Sequence, residues 1–272
     1  MQATMTIYKA GGANVTFPFP GNWNELTPTE LEIIAREQTT ERDHPAENKA
    51  ALLIQIIQER TRHLKKQMPF NWVKTLSKDD AATQGFDAIQ FLYVENTRTV
   101  NPYPTLKISG EEFVGPEDDF DKLLCGEFED TEVFFGLFQM ESDSNHLAKI
   151  ASILWRPAGE GYNKELIESR LALFQKLPPE KLLAIYIWYN GCRLKLRQLY
   201  PYVYSSNGTT PTENDLLAFT NCIHAGAGPK NGNRENIRSM RVKEFLYDMN
   251  LEAKHAHELQ KKHEEQLRKM KR

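Results

Sequence analysis

The last 22 residues of this chain, 251–272, are rich in charged side chains and poor in apolar ones. The large apolar residues beyond the first position of this stretch are Leu259, Leu267 and Met270. A helix with so few apolar residues cannot bury a continuous stripe against its own domain. The sequence therefore predicts a long final helix, starting near Asn233, whose last part projects, frays or packs on a partner chain.

The charge of this region bears on the kind of partner. Residues 233–272 hold 11 Lys and Arg against 7 Asp and Glu, a net charge of +4, whereas the rest of the chain has a net charge of −7. Because affinity for phosphate depends on summed cationic charge, and glutamates interrupt the basic residues, nucleic acid is an unlikely partner. Another protein chain is the expected partner. The predicted partner-binding residues are Leu259, Leu267, Arg268 and Met270.

The first 20 residues contain two short runs in which polar and apolar side chains alternate. The runs are 4–8 and 14–17, Gly11 and Gly12 lie between them, and Pro18 ends the second run. Alternation with turn residues between the runs predicts a β-hairpin. An isolated hairpin is marginally stable in water, so this one is expected to dock on the rest of the protein or on another chain.

Capping residues and apolar residues at helical spacing predict helices along most of the chain. Thr27, Pro28 and Glu30 form a capping-box pattern with a proline at the first helical position. The polar stretch that begins at Glu37 is expected to be a loop as far as about residue 47. Further helices are predicted at about 45–67, 129–140, 144–154, 163–174 and 179–200, with capping by Ser144 and Asn163. Another is predicted to contain Leu216, Leu217 and Phe219 and to end before the glycines at 226–228.

The longest apolar run, 182–189, contains eight residues and predicts a buried central helix. A membrane span needs about 20 apolar residues, so no span is expected. The N-terminus lacks the basic and apolar regions of a signal peptide. Three widely spaced cysteines, Cys125, Cys192 and Cys222, are typical of buried thiols in a reduced compartment. The expected location is a reduced compartment inside the cell.

Together these patterns predict a mainly α fold: a multi-helix body with a small N-terminal β-hairpin and a long C-terminal helix. The predicted divisions are a hairpin at 1–22, a helical body at 23–250 and a charged helical tail at 251–272. Residues 68–118 are apolar enough to be core, but their period does not decide between helical and extended structure.

Several residue groups could carry chemistry, and each has a simpler reading. Glu-x-x-His occurs at Glu41/His44 and at Glu252/His255, but both copies lie in polar surroundings that offer no dry metal pocket. His255, His257 and His263 could suggest zinc, but residues two apart on a helix point to nearly opposite faces. We therefore predict no metal site and no cofactor.

A glycine-rich turn ends the helix near Phe219. Gly226, Gly228 and Lys230 form a candidate anion-binding turn, because a helix that begins after them could hold an anion at its N-terminus. The spacing of a P-loop is absent, so the simpler reading is a helix cap and turn.

The acidic group of Glu127, Glu129, Asp130 and Glu132 could hide a general acid. Negative charge is also favourable at a helix start, and this is the reading we adopt. The three cysteines are likewise read as buried thiols and not as nucleophiles. No catalytic residue is therefore predicted.

Three short motifs are similar to those of a known group of proteins. They are WNELT at 23–27, GEF followed by DTE at 126–132, and ILWRP at 153–157. With a β start and a charged C-terminal helix, this order resembles proteins encoded among the virion-assembly genes of phages and prophages of Bacteroidetes bacteria, some of them similar to tail-assembly chaperones. The resemblance covers about half of the chain. It implies no catalytic residues, and it implies that binding to virion or assembly proteins is the work of the chain.

Two alternatives remain open at this stage. One is a helical adaptor or regulator inside the cell, unrelated to virions. The other is an enzyme whose site is built from residues scattered in the sequence. An enclosed polar pocket that contains carboxyl groups with raised pKa values would favour the enzyme.

Overall fold

A computed structural model describes residues 4–7, 15–39, 45–62, 86–204 and 217–270. Over these ranges the chain is mainly α-helical, with a two-stranded antiparallel sheet near the N-terminus and a long C-terminal helix, which confirms the predicted fold class. The α-helices are α1 (Pro28–Thr39), α2 (Pro45–Arg60), α3 (Cys125–Glu141), α4 (Ser144–Leu154), α5 (Ile167–Phe174), α6 (Pro179–Leu199), α7 (Ala218–Gly226), α8 (Arg234–Arg238) and α9 (Val242–Met270). The strands are β1 (Thr4–Ile7), β2 (Val15–Pro18), β3 (Thr105–Ile108), β4 (Glu111–Val114) and β5 (Arg156–Pro157).

The chain forms two compact units. The first consists of Met1–Tyr103 with Pro178–Gly191, and the second consists of Pro104–Leu177 with Cys192–Arg272. Helix α6 therefore contributes its first part to one unit and its second part to the other. None of the helices in the described ranges combines the length and the hydrophobicity that a membrane span requires.

The N-terminal hairpin of the first unit is confirmed. Strands β1 and β2 pair antiparallel, and Met5 lies opposite Phe17 with both side chains buried. On the other face the hydroxyls of Thr6 and Thr16 are 2.8 Å apart. The predicted turn at Gly11 and Gly12 lies outside the described residues.

Helix α1 begins with the predicted capping box. The Thr27 backbone N–H donates to Glu30 at 2.8 Å, and the Glu30 N–H donates to the Thr27 hydroxyl at 3.3 Å. Glu30 is fully buried and also accepts two hydrogen bonds from Arg60 at the end of α2. Helix α1 continues past the predicted loop start at Glu37, because that carboxylate accepts from Gln55 of α2 at 2.7 Å.

The second helix is shorter than predicted. Helix α2 ends at Arg60 and not near residue 67, because the next residue forms a turn. Arg60, the last residue of α2, donates to the Glu25 carbonyl as well as to Glu30. Of the undecided stretch 68–118, the part up to residue 85 lies outside the described residues.

The rest of the undecided stretch contains both kinds of structure. Asp87–Tyr93 forms a 3-10 helix, and an extended segment follows it. In this segment the buried Arg98 donates to the carbonyls of Trp23 and Leu26 at 2.8 and 2.9 Å. The Trp188 indole of α6 donates to the Thr99 carbonyl at 3.0 Å. The extended segment is thereby held within the first unit.

The second unit contains a three-stranded sheet that the sequence did not reveal. Its order is β3-β4-β5, with both pairs antiparallel. Leu106, Ile108 and Phe113 face the core, and the solvent face carries Lys107 and Glu112. Strands this short give only a weak alternation signal.

The helix starts of the second unit differ in detail from the prediction. Helix α3 begins at Cys125, four residues before the predicted start near Glu129. Helix α4 is capped by Asp143 and not by Ser144, since the Asp143 carboxylate accepts from the Asn145 N–H at 2.9 Å. Asn163 caps the turn that leads into α5, as predicted.

The final helix is not continuous from Asn233. That residue caps the short helix α8, and a break at 239–241 separates α8 from α9. The break arises because the backbone of Met240 and Val242 bonds to the backbone at the start of α3. The Cys125 N–H donates to the Met240 carbonyl, and the Val242 N–H donates to the Leu123 carbonyl, both at 2.9 Å.

Candidate functional site

Helix α9 is buried at its start and exposed from Leu251 onward. Val242, Phe245 and Leu246 have no exposed surface. From Leu251 to Met270 every side chain is exposed, apart from Ala253, which is half-buried. Burial is lost where the apolar residues of the sequence thin out. We call residues 251–272 the C-terminal tail.

A narrow apolar stripe continues along the tail from the buried face of α9. Val242, Phe245 and Met249 recur at spacings of three and four residues, and the same register continues at Ala256, Leu259 and Met270. The tail stripe consists of Ala256, Leu259, Leu267 and Met270. Leu259 is 52% exposed and Met270 is 75% exposed. Apolar residues that continue along one exposed face of a helix can serve as a contact surface for another helix.

The four predicted partner-binding residues do not share one face. Leu259, Leu267 and Met270 lie on the tail stripe. Arg268 follows Leu259 by nine positions, which is a rotation of about 180° at 3.6 residues per turn. Arg268 therefore lies on the opposite face of the helix, where it is exposed to solvent.

The predicted anion-binding turn lies beside the root of the tail. Gly228 and Gly232 exchange backbone hydrogen bonds of 2.9 and 2.8 Å, and Lys230 lies in the turn between them. The Lys230 ammonium is 3.0 Å from Glu252 and 3.6 Å from Asp248. The hydrogen bond to Glu252 raises the pKa of Lys230. Lys230 thus ties the turn to α9, and anion binding by Gly226, Gly228 and Lys230 stays a prediction.

The acidic group at the start of α3 is a buried ionic cluster. Glu127 accepts from the Leu124 N–H at 2.8 Å and from the Arg156 guanidinium. Glu132 accepts two hydrogen bonds from the Nε atom of Arg193, at 2.9 and 2.8 Å. The first contact satisfies the free backbone N–H of Leu124 at the N-cap of α3, and the second ties α3 to α6.

The central pair of this cluster, Glu129 and Asp130, is the most heavily bonded. Glu129 accepts from Arg234 and from the Thr220 hydroxyl, both at 2.8 Å, and from the Arg238 guanidinium. Asp130 accepts from Arg238 and Lys164 at 2.7 and 2.8 Å, and from the Tyr162 hydroxyl. Burial and this bond raise the pKa of Tyr162.

These contacts assign the acidic group a structural role. Each of its four carboxylates accepts hydrogen bonds from cationic side chains. A cavity of about 170 Å³ adjoins Glu127 and Arg156 and is lined also by Glu117 and Lys122. The sequence signal for this ionic cluster was the occurrence of four acidic residues within two turns of a helix that is mostly apolar.

The first unit contains a larger cavity, of about 440 Å³, beside the hairpin. Its lining includes Met5, Phe19 and Phe91 together with Asp87 and threonines of β1. The walls are mainly apolar side chains and hydroxyls. Among the described lining residues Asp87 is the one carboxylate, whereas general acid–base chemistry requires a paired acid and base.

The cysteines are held as neutral thiols. Burial raises the pKa of Cys125 to about 12 and also raises the pKa values of Cys192 and Cys222. A thiol with a raised pKa is a poor nucleophile, since the thiolate is the reactive form. Cys222 and His224 lie two residues apart on α7. That spacing directs their side chains to different sides of the helix.

In the part of the chain that the structure describes, no group of three or more His, Cys, Asp and Glu side chains is placed to hold a metal ion. Glu252 and His255 lie on the exposed tail, as do His257 and His263. The other Glu-x-x-His pair, at 41–44, lies outside the described residues.

Comparison of the chain with protein-family models, with curated proteins and with solved structures found no match. The three sequence motifs nevertheless have clear positions in the fold. WNELT enters α1 and supplies the carbonyls that Arg98 binds. The GEF motif and the ILWRP motif meet in the contact between Glu127 and Arg156. Their residues therefore stabilise the fold of their own unit.

Proposed function

We propose that this protein is a structural or assembly protein of a phage or prophage and acts by contact with other protein chains. It would serve in assembly of the phage tail or neck, as a component or in a chaperone-like role. The observation that carries the proposal is the exposure of α9 from Leu251 to Met270. Isolated helices of about this length are marginal in water unless an apolar face is packed. Binding of the tail stripe to a partner would supply that packing.

The assignment to virion assembly is supported by the resemblance in the three motifs and by their order along the chain. In this role the protein works in the cytoplasm of the bacterial host or in the virion. The chemistry described above is consistent with a binding role, since the buried carboxylates are engaged in ion pairs and the thiols are neutral.

The hairpin offers a second contact element. The β1-β2 sheet has two strands, so each strand has one edge that the other strand does not cover. Unpaired strand edges can accept a further strand from another chain. A partner could therefore bind at the tail, at the hairpin, or at both.

Deletion of residues 251–272 tests the proposal. Because the tail packs little on its own unit, the melting temperature should change by no more than about 2 °C. Where portal, capsid or tail genes neighbour the native gene, co-expression with them should yield a complex with the full chain and none with the shortened chain. Leu251→Glu is a suitable control, since it adds a charge to the tail outside the tail stripe.

Two results would contradict the proposal. One is equal recovery of virion proteins with the full and the shortened chain. The other is a fall in melting temperature of more than about 5 °C on deletion, which would show that the tail packs on its own domain.

A further inference from the structure

We propose that the tail stripe binds the tail stripe of a second copy of this chain, in an antiparallel helix pair. The inference rests on the proposed function, in which the tail is the protein-binding element, and it names the partner. The apolar tail stripe alone does not identify the partner chain, whereas the distribution of charge along α9 identifies a second copy.

The charge of α9 changes sign along its length. Residues 244–258 contain four acidic and one basic side chain, a net charge of −3. Residues 259–272 contain six basic and two acidic side chains, a net charge of +4. Two copies in parallel would place like charges together. Two antiparallel copies place the basic end of each helix against the acidic part of the other.

Opposite charges across a helix pair determine its orientation more than they determine its affinity. In the antiparallel arrangement Lys269 of one copy approaches Asp248 and Glu252 of the other. These acids lie at the exposed root of the tail, where Lys230 is their neighbour within the chain. Antiparallel helix dipoles also attract, so the backbone favours the same orientation.

The apolar residues are arranged for such a pair. Ala256 and Leu259 are separated by three residues, and the same register continues through His263 to Met270, as in the a and d positions of a heptad. Small Ala256 allows close approach to Leu259 of the second copy. The 20 residues from 251 to 270 extend about 30 Å, which is long enough for several layers of contact.

Only a few large apolar residues contribute, so the pair is expected to be reversible. Contact between two short stripes buries an area near the lower limit for a specific interface, about 1,000 Å². Association should therefore depend on protein concentration and weaken as salt screens the complementary charges.

Sedimentation equilibrium of the full chain tests the inference. At low salt and at concentrations up to about 0.1 mM, the molar mass should rise from 31.4 kDa toward twice that value. Leu259→Glu should raise the dissociation constant about tenfold or more. Leu251→Glu is the matched control: the residue type and substitution are the same and the exposure is similar, at 47% against 52%, but Leu251 lies off the stripe.

Charge exchange tests the orientation. Lys269→Glu should weaken association, and so should Asp248→Lys. A chain that carries both changes should regain it, because opposite charges again face each other in an antiparallel pair. In a parallel pair each residue faces its own copy, so none of these changes would alter the balance of charges. Loss of association without recovery in the combined variant would overturn the antiparallel assignment.

The outcomes separate this inference from the proposed function. If the full chain stays at 31.4 kDa over the whole range while deletion of the tail still abolishes binding to virion proteins, the second-copy assignment fails and the proposed function stands. If the chains pair as described but no virion protein binds, the second-copy assignment stands and the proposed function fails. Equal effects of Leu259→Glu and Leu251→Glu would also overturn the second-copy assignment.

Discussion

Arg238 of α8 donates from its Nη2 atom to the Oδ2 atom of Asp130 in α3 at 2.7 Å, and its other terminal nitrogen contacts Glu129. The side chains of both acids are less than 10% exposed. A single guanidinium thus links two buried carboxylates that follow one another in the sequence. Ion pairs of this kind are costly to break, because the remaining charge cannot be solvated.

We expect Arg238→Met to lower the free energy of unfolding by about 2–4 kcal/mol. The loss is limited because Glu129 keeps Arg234 and Asp130 keeps Lys164. Urea denaturation followed by circular dichroism would measure it. Arg241→Ala is the control: this side chain is half-exposed and contacts Glu244 at 3.5 Å, so its loss should cost no more than about 0.5 kcal/mol. Equal losses in the two variants would contradict the role given to Arg238.

Local signals in the sequence were sufficient for parts of the fold. The capping box of Thr27 and Glu30 and the alternation in the hairpin depend on neighbouring residues, so a single sequence contains the whole pattern. The apolar run at 182–189 likewise predicted helix α6, whose Ile185 and Trp188 are fully buried.

Features that depend on distant partners could not be predicted. The break before α9 exists because Met240 and Val242 bond to the backbone around Leu123, more than 100 positions away. The acidic group of α3 was read as a favourable helix start for the same reason. Its cationic partners come from several separate segments, and no local pattern connects them with Glu129.

Gly191 should tolerate no side chain. A Cβ atom at this position would lie 2.1 Å from the carbonyl oxygen of Arg98, and backbone cannot move aside as a side chain can. Alanine in a helix normally gains about 1 kcal/mol over glycine. Here we expect Gly191→Ala to lower the free energy of unfolding by roughly 3 kcal/mol.

Denaturation of Gly191→Ala beside Gly161→Ala provides the comparison, because a Cβ at Gly161 would meet open space. Gly161→Ala should be close to neutral. A gain in stability for Gly191→Ala would show that the segment around Arg98 does not pack on α6 as described.

The cysteines should differ in their reaction with a thiol reagent. At pH 8 a thiol with a pKa of about 12, such as that of Cys125, is ionised in about one molecule in ten thousand. Cys192 is also fully buried, whereas Cys222 is half-buried. We therefore expect Cys222 to react first in the folded protein and the other two only on unfolding.

A chromogenic disulfide reagent gives the number of reactive thiols directly. In Cys222→Ser the folded protein should show no fast phase, and addition of denaturant should release two thiols. Loss of the fast phase in Cys125→Ser instead would contradict the burial described for that residue.

Asp143 should make the stability of α4 depend on pH. The hydrogen bonds from Asn145 lower the pKa of this carboxyl below its usual value of about 4. A carboxyl group whose pKa is lowered by folding stabilises the protein above its unfolded pKa, and that contribution is lost as the pH falls through the folded pKa. Asp143→Asn keeps an acceptor at the N-cap and removes the charge. The variant should therefore melt below the wild type at pH 7, and the difference should shrink as the pH falls below about 4.

Asn163→Asp is the reverse change, since Asn163 already caps a helical turn through the Glu165 N–H at 2.9 Å. It should gain a pH dependence of the same sign. A difference between wild type and Asp143→Asn that is the same at pH 7 and at pH 3 would show that the carboxylate charge does not contribute to the cap.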